Sequence, residues 1–172
     1  MSEAVVQEAG PGAVDPERGR RLAARWWKWA FAGPRDRSPV RDRTGEFAGW
    51  GQPWDVWFLA GTYGGRVVRR CQIPAGRPIF FPVLNTMRSA VGFSSRPWRL
   101  DVSSAEAVLN GNPLPMQEFA SKRFWAMRRP RIAWGIWCTL DPLSPGQYVL
   151  SIKASSDDFW VDTTYHLEVV AG

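Results

Sequence analysis

Three stretches of this chain, VWFLA (56–60), IFFPVL (79–84) and IAWGIW (132–137), read as β-strands that are apolar on both faces. Side chains alternate across a strand, so a strand at the edge of an ordinary sandwich shows one apolar and one polar face. The segment VDTTYHLEV behaves that way: Val161, Thr163, Tyr165, Leu167 and Val169 share one face, and Asp162, Thr164, His166 and Glu168 the other. The two-faced strands make a stronger demand. Something must cover their second side, and three occupants fit: a helix of the same chain, a second copy, or a bound apolar molecule.

A helix is at hand. Asp15 is placed to cap it, Pro16 suits the first helical position, and Gly33-Pro34 end it, which predicts a helix over about 16–32. Leu22, Trp26, Trp29 and Ala30 recur at helical spacing, with Ala23 and Trp27 widening the apolar stripe. Residues 1–14 read as a disordered tail and residues 15–172 as one domain. Residues 34–53 form a long loop rich in Pro, Gly and charge, a kind often kept for function. DVWFLAG, RVVRRCQI and PIFFPVL follow as strands, with the glycine turn GTYGG between the first two read as hairpin punctuation. EAVLNGNPLPMQEF reads as a hairpin about Asn110-Gly111. RIAWGIWCTL and QYVLSIKA read as a strand–turn–strand unit, and FWVDTTYHLEVV as the last strand. Residues 118–129 fit helix and strand equally.

The composition narrows the function classes. The net charge of +6 comes from 19 Arg and 3 Lys scattered along the chain, without the cluster or stripe of a phosphate-binding surface. That skew toward Arg matches the codon bias of a GC-rich genome. Two cysteines, Cys71 and Cys138, make neither a disulfide framework nor a zinc site. The N-terminus has no apolar run of signal-peptide length, and no stretch approaches the length of a membrane span. A reducing cytosol with both thiols free is the expected setting.

The run VWFLAGTYGGRVVRRCQIPAGRPIFFPVLN (56–85) resembles the signature of a family of uncharacterised bacterial proteins, many of them secreted. SPVRDRTG with Gly51-Gln52 resembles that family's lead-in, and GIWCTLDPLSPGQYVL and VDTTYHLEV its closing strands. The resemblance implies a shared β fold and carries no settled activity. It also implies a cysteine shortly after the Asp-x-Thr-Gly segment, where this chain has Ala48; Cys71 would be that cysteine's partner. Without it Cys71 is a lone thiol, as suits a relative that works in the cytosol.

The candidates for chemistry are few. His166, the single histidine, shares a strand face with Asp162 and Thr164, the makings of a carboxylate-oriented base. A solvent-facing strand edge accounts for the same residues, and no nucleophile is placed beside it. Cys138 has no basic neighbour to activate it. GTYGG opens no helix and so lacks the geometry of a phosphate-cradling loop. Asp42, Asp55, Asp141, Asp157, Asp158 and Asp162 show no metal-ligand spacing. No metal or cofactor is expected.

The aromatic set remains, with 11 Trp and 9 Phe. Trp57, Phe81, Trp134 and Trp137 on the two-faced strands, with Arg69, Asn85 and Tyr165 as polar groups, have the makings of a small-molecule pocket; a plain aromatic core is the competing reading. Ala133 and Gly135 would be the positions at which enlargement blocks such a pocket. The expected architecture is a single antiparallel β-barrel or β-sandwich of about eight strands with one N-terminal helix. The expected function is binding of an apolar molecule, such as a polyketide or polyene-like intermediate of bacterial secondary metabolism, by a carrier or a cyclase acting through confinement. A homodimeric interaction module is the alternative. Single-stranded nucleic-acid binding stands third.

Overall fold

The computed structural model describes residues 12–92 and 96–172. Most of the expected tail, residues 1–11, lies outside that range. Residues 12–14 do not hang free: the amide of Val14 donates to Gln117 Oε1 (3.0 Å), and Gln117 Nε2 donates back to the Val14 carbonyl (2.9 Å).

The helix α1 spans Pro16–Ala30 and starts as its sequence dictates, with the Asp15 carboxylate accepting from the Arg18 amide. Ten strands follow among the described residues: β1 (Trp57–Phe58), β2 (Gly65–Pro74), β3 (Ile79–Ser89), β4 (Ser104–Leu109), β5 (Asn112–Pro113), β6 (Gln117–Ala120), β7 (Phe124–Ala126), β8 (Arg129–Leu140), β9 (Gly146–Ser156) and β10 (Phe159–Val170). They form two sheets rather than one barrel. One runs β1-β3-β8-β6, with β7 also on β8; the other runs β2-β10-β9-β4-β5. The strand count exceeds eight because short pieces pair separately. Two pairings, β1 with β3 and β2 with β10, are parallel, so the antiparallel expectation holds for the rest.

The layers answer the demand of the two-faced strands. The sheet containing β3 and β8 lies in the middle. One side packs on the second sheet through Leu59, Phe81, Val83, Cys138, Leu150, Ile152 and Leu167. The other side packs on α1 through Trp26, Trp29, Phe58, Phe80, Phe119 and Trp137. The chain's own helix covers the second face; neither a second copy nor a ligand is needed there. Gly19 permits the close approach, since a Cβ at that position would lie 2.4 Å from the Phe119 ring. Rings then lock in series: Trp26 meets Trp137 edge-on at 5.6 Å, and Trp137 stacks on Phe80 at 4.9 Å. Trp26 Nε1 donates to the Leu59 carbonyl, satisfying the buried indole.

Several connections differ from the sequence reading. The GTYGG turn joins β1 to β2 across the two sheets, so it is a crossing and not a hairpin. DPLSPG likewise carries the chain from β8 in one sheet to β9 in the other. Local turn chemistry cannot distinguish a reversal within a sheet from a step between sheets, and both are short. The Asn110-Gly111 hairpin is present, with φ of 48° and 80° as a type I′ turn requires. The ambiguous 118–129 segment resolves as β6 and β7, the latter turning into β8 through Met127 and Arg128 at positive φ.

Candidate functional site

The seven residues singled out for a pocket do not converge on one. Trp57, Phe81 and Tyr165 are buried between the two sheets, and Trp137 is buried beneath α1. Trp134 is buried too, its indole donating to Glu118 Oε1 (2.8 Å). Ala133 sits in the helix-side core, and a Cβ on Gly135 would lie 2.6 Å from Trp137 Nε1 and 2.9 Å from Asn85 Cβ. Enlarging either would overpack a core, not plug a cavity. The sequence shows which rings are buried, not whether space is left between them.

Arg69 is a clamp. It is 1% exposed and has no carboxylate partner among the described residues, yet each of its three nitrogens donates. Nε donates to the Asp42 carbonyl (2.7 Å), Nη2 to that of Val40 (3.0 Å), and Nη1 to those of Ala60 and Gly61 and to the Tyr165 hydroxyl. Tyr165 in turn donates to the Ala60 carbonyl (2.7 Å). One β2 side chain thereby ties the long loop and the GTYGG crossing to the sandwich. Asp42 braces the same loop. Burial works against its charge, but the amides of Thr44, Phe47 and Gly45 outweigh this and hold its carboxyl below the ordinary range. The Thr44 carbonyl also accepts from the Arg70 amide, which seats this turn on β2 next to Cys71.

What the clamp holds in place is the wall of a cleft of about 710 Å³. The end of α1 supplies Trp26, Trp27 and Phe31, with Trp27 and Phe31 stacked at 5.8 Å. Val40 comes from the long loop, Gly61, Thr62 and Tyr63 from the crossing, and Asn85, Thr86 and Met87 from β3. Leu100 and the β9–β10 turn, Ser156 to Phe159, close the far side. The lining is mostly apolar and aromatic, and its volume falls in the range of small-molecule sites. Of the seven expected residues only Asn85 lines it.

A recess of about 30 Å³ shares Gly61, Thr62, Asn85 and Phe159 with the cleft. It lies where β3 slips register between Pro82 and Leu84. Proline brings no N–H to a ladder, and a break of this kind bends the strand and re-aims its side chains. Pro82 inside an apolar strand was the sequence signal for this irregularity. The helix-end rings and the β9–β10 turn had none, because their convergence is purely tertiary.

The remaining candidates are dispersed. Asp162 pairs with Arg66 (3.0 Å), not with His166, which lies four residues along the strand beside Arg70. Burial pushes the thiols of Cys71 and Cys138 up to about 12, far from a nucleophile's range. Among the described residues no three His, Cys, Asp or Glu side chains gather as metal ligands. No described helix is long and apolar enough to cross a membrane.

No family model, curated protein or solved structure matches this chain. Its functional reading rests on the cleft.

Proposed function

We propose that the protein binds an apolar small molecule in the cleft between the end of α1, the GTYGG crossing and the β9–β10 turn. The observation that carries this is the wall itself: Trp26, Trp27, Phe31, Val40, Met87 and Phe159 border one space of about 710 Å³, held open by a buried arginine clamp. The ligand class is elongated and hydrophobic, of the polyketide or polyene kind. The protein acts as its carrier, or as a cyclase that works by confining it; the lining offers Asp157 and Asp158 but no histidine, cysteine or lysine for bond-making chemistry. Free Cys71 and Cys138 support a reducing compartment such as the cytosol.

Burying about 300 Å² of apolar ligand surface at ~25 cal/mol per Å² supplies roughly 7–8 kcal/mol, which corresponds to a low-micromolar Kd. Titration with Nile red, a neutral apolar dye, should therefore saturate in that range. Gly61→Leu should weaken it. A Cβ at Gly61 meets nothing nearer than Pro82 Cγ at 3.9 Å, so the variant adds bulk at the cleft wall without a clash at its Cβ. No saturable binding by the wild type, or equal binding by Gly61→Leu with an unchanged melting temperature, would refute the reading.

A further inference from the structure

We infer that the ligand is a neutral, oxygen-bearing hydrophobe whose hydroxyl or carbonyl oxygen enters the recess beneath the β3 bulge and is held there by Asn85 and Thr163. The inference rests on the cleft reading and adds the chemistry of the ligand's polar end.

Two side-chain atoms carry it. Of six buried side-chain atoms without a hydrogen-bond partner among the described residues, Asn85 Nδ2 and Thr163 Oγ1 are the two whose residues line the recess. Thr163 is 1% exposed, within the inward face of β10, where valine or leucine would pack without leaving a hydroxyl unpaired. A buried polar atom without a partner is costly, and native structures carry few of them. Here two belong to residues that border one recess of about 30 Å³. The Asn85 amide nitrogen only donates, so its partner must be an acceptor; the Thr163 hydroxyl serves as donor or acceptor. An alcohol or ketone oxygen satisfies both.

Charge excludes the commonest alternative. No Arg, Lys or His lines the cleft or the recess, while Asp157 and Asp158 stand at the cleft's border. A carboxylate would enter without a cation to receive it and against two like charges. Fatty acids are therefore disfavoured relative to alcohols and ketones of the same length.

The test is isothermal titration of the full chain with three ten-carbon probes: 1-decanol, decanoate and decane. Wild type should bind decanol about tenfold or more tighter than either of the others, the discrimination expected of buried hydrogen bonds. Asn85→Leu and Thr163→Val should each bring decanol down to the level of decane measured on the same variant. Thr163→Val removes only an unpaired hydroxyl and should melt at or above the wild-type temperature, so the test survives if Asn85→Leu folds poorly. Equal affinity for decanol and decane, or preference for decanoate, would overturn the inference and leave the cleft reading standing. So would unchanged decanol binding by Thr163→Val, which would assign the recess to a structural water. Failure of all three probes to bind would remove both readings.

Discussion

Replacing Arg69 by methionine isolates the energetic role of the clamp. Methionine fills similar apolar volume but donates nothing. The Ala60 carbonyl would keep the Tyr165 hydroxyl as donor, whereas the carbonyls of Val40, Asp42 and Gly61 would lose theirs. Each buried acceptor left unpaired costs about 1–3 kcal/mol, so the buried carbonyls of Val40 and Asp42 together approach ~2–6 kcal/mol, and the part-buried one of Gly61 adds less. Two effects oppose this. The guanidinium no longer has to be desolvated, and the loops can open to let water reach the carbonyls. A net loss of about 3 kcal/mol or more is expected, against a total stability of roughly 5–15 kcal/mol for a domain of this kind. Arg69→Lys keeps the charge and up to three donors and should fall between wild type and Arg69→Met. Urea unfolding measures the loss, and hydrogen exchange locates it: amides of residues 38–47 and 59–64 should lose protection before those of β3 or β8. Stability of Arg69→Met within about 0.5 kcal/mol of wild type, with those loops still protected, would refute the assignment of Arg69 as a clamp.

Trp26 is 2% exposed and donates to the Leu59 carbonyl, so Trp26→Ala should cost on the order of 3–5 kcal/mol in the same unfolding assay; a loss below about 0.5 kcal/mol would make α1 an appendage. Because burial holds both thiols near 12, Cys71 and Cys138 should resist iodoacetamide at pH 8 in the native protein and count two when unfolded. Rapid native labelling would contradict the raised thiols of half-buried Cys71 and buried Cys138. The depressed carboxyl of Asp42 contributes stability that is present above its unfolded value of about 4 and is lost as pH falls through the lower folded value. The gap in melting temperature between wild type and Asp42→Asn should accordingly be full at pH 6 and shrink below pH 4; a gap independent of pH would point to shape alone.

The helix and its cap, the last strand's alternation and the Asn110-Gly111 hairpin were legible in the residues, because each is decided within a few positions. So was the need to cover strands 79–84 and 132–137 twice. What covered them was one of three open choices until the Trp26–Trp137 contact closed it. The site fared differently. Burial of Trp57, Phe81, Trp134 and Trp137 follows from composition, but whether buried rings leave a hollow depends on distances of a few ångströms between distant segments. The cleft is made of six such segments, and of the pocket residues marked beforehand only Asn85 lines it. Arg69, read as a polar group facing a ligand, instead faces backbone carbonyls of loops without periodicity to predict their path.

The placement of α1 on the central sheet also sets a timetable. On the ribosome Trp26 is made early, while Trp137 emerges more than a hundred residues later, a delay on the order of ten seconds at usual translation speeds. β2 waits almost as long for β10, its parallel neighbour. Through that interval a stripe bearing three tryptophans has only part of its surface, Phe58 and Phe80, to close on, and the two-faced strands arrive before the second sheet is complete. Such a nascent chain is a natural client for chaperones that shield aromatic segments. Expression yield, more than the stability of the finished fold, should be the quantity most sensitive to changes in that stripe.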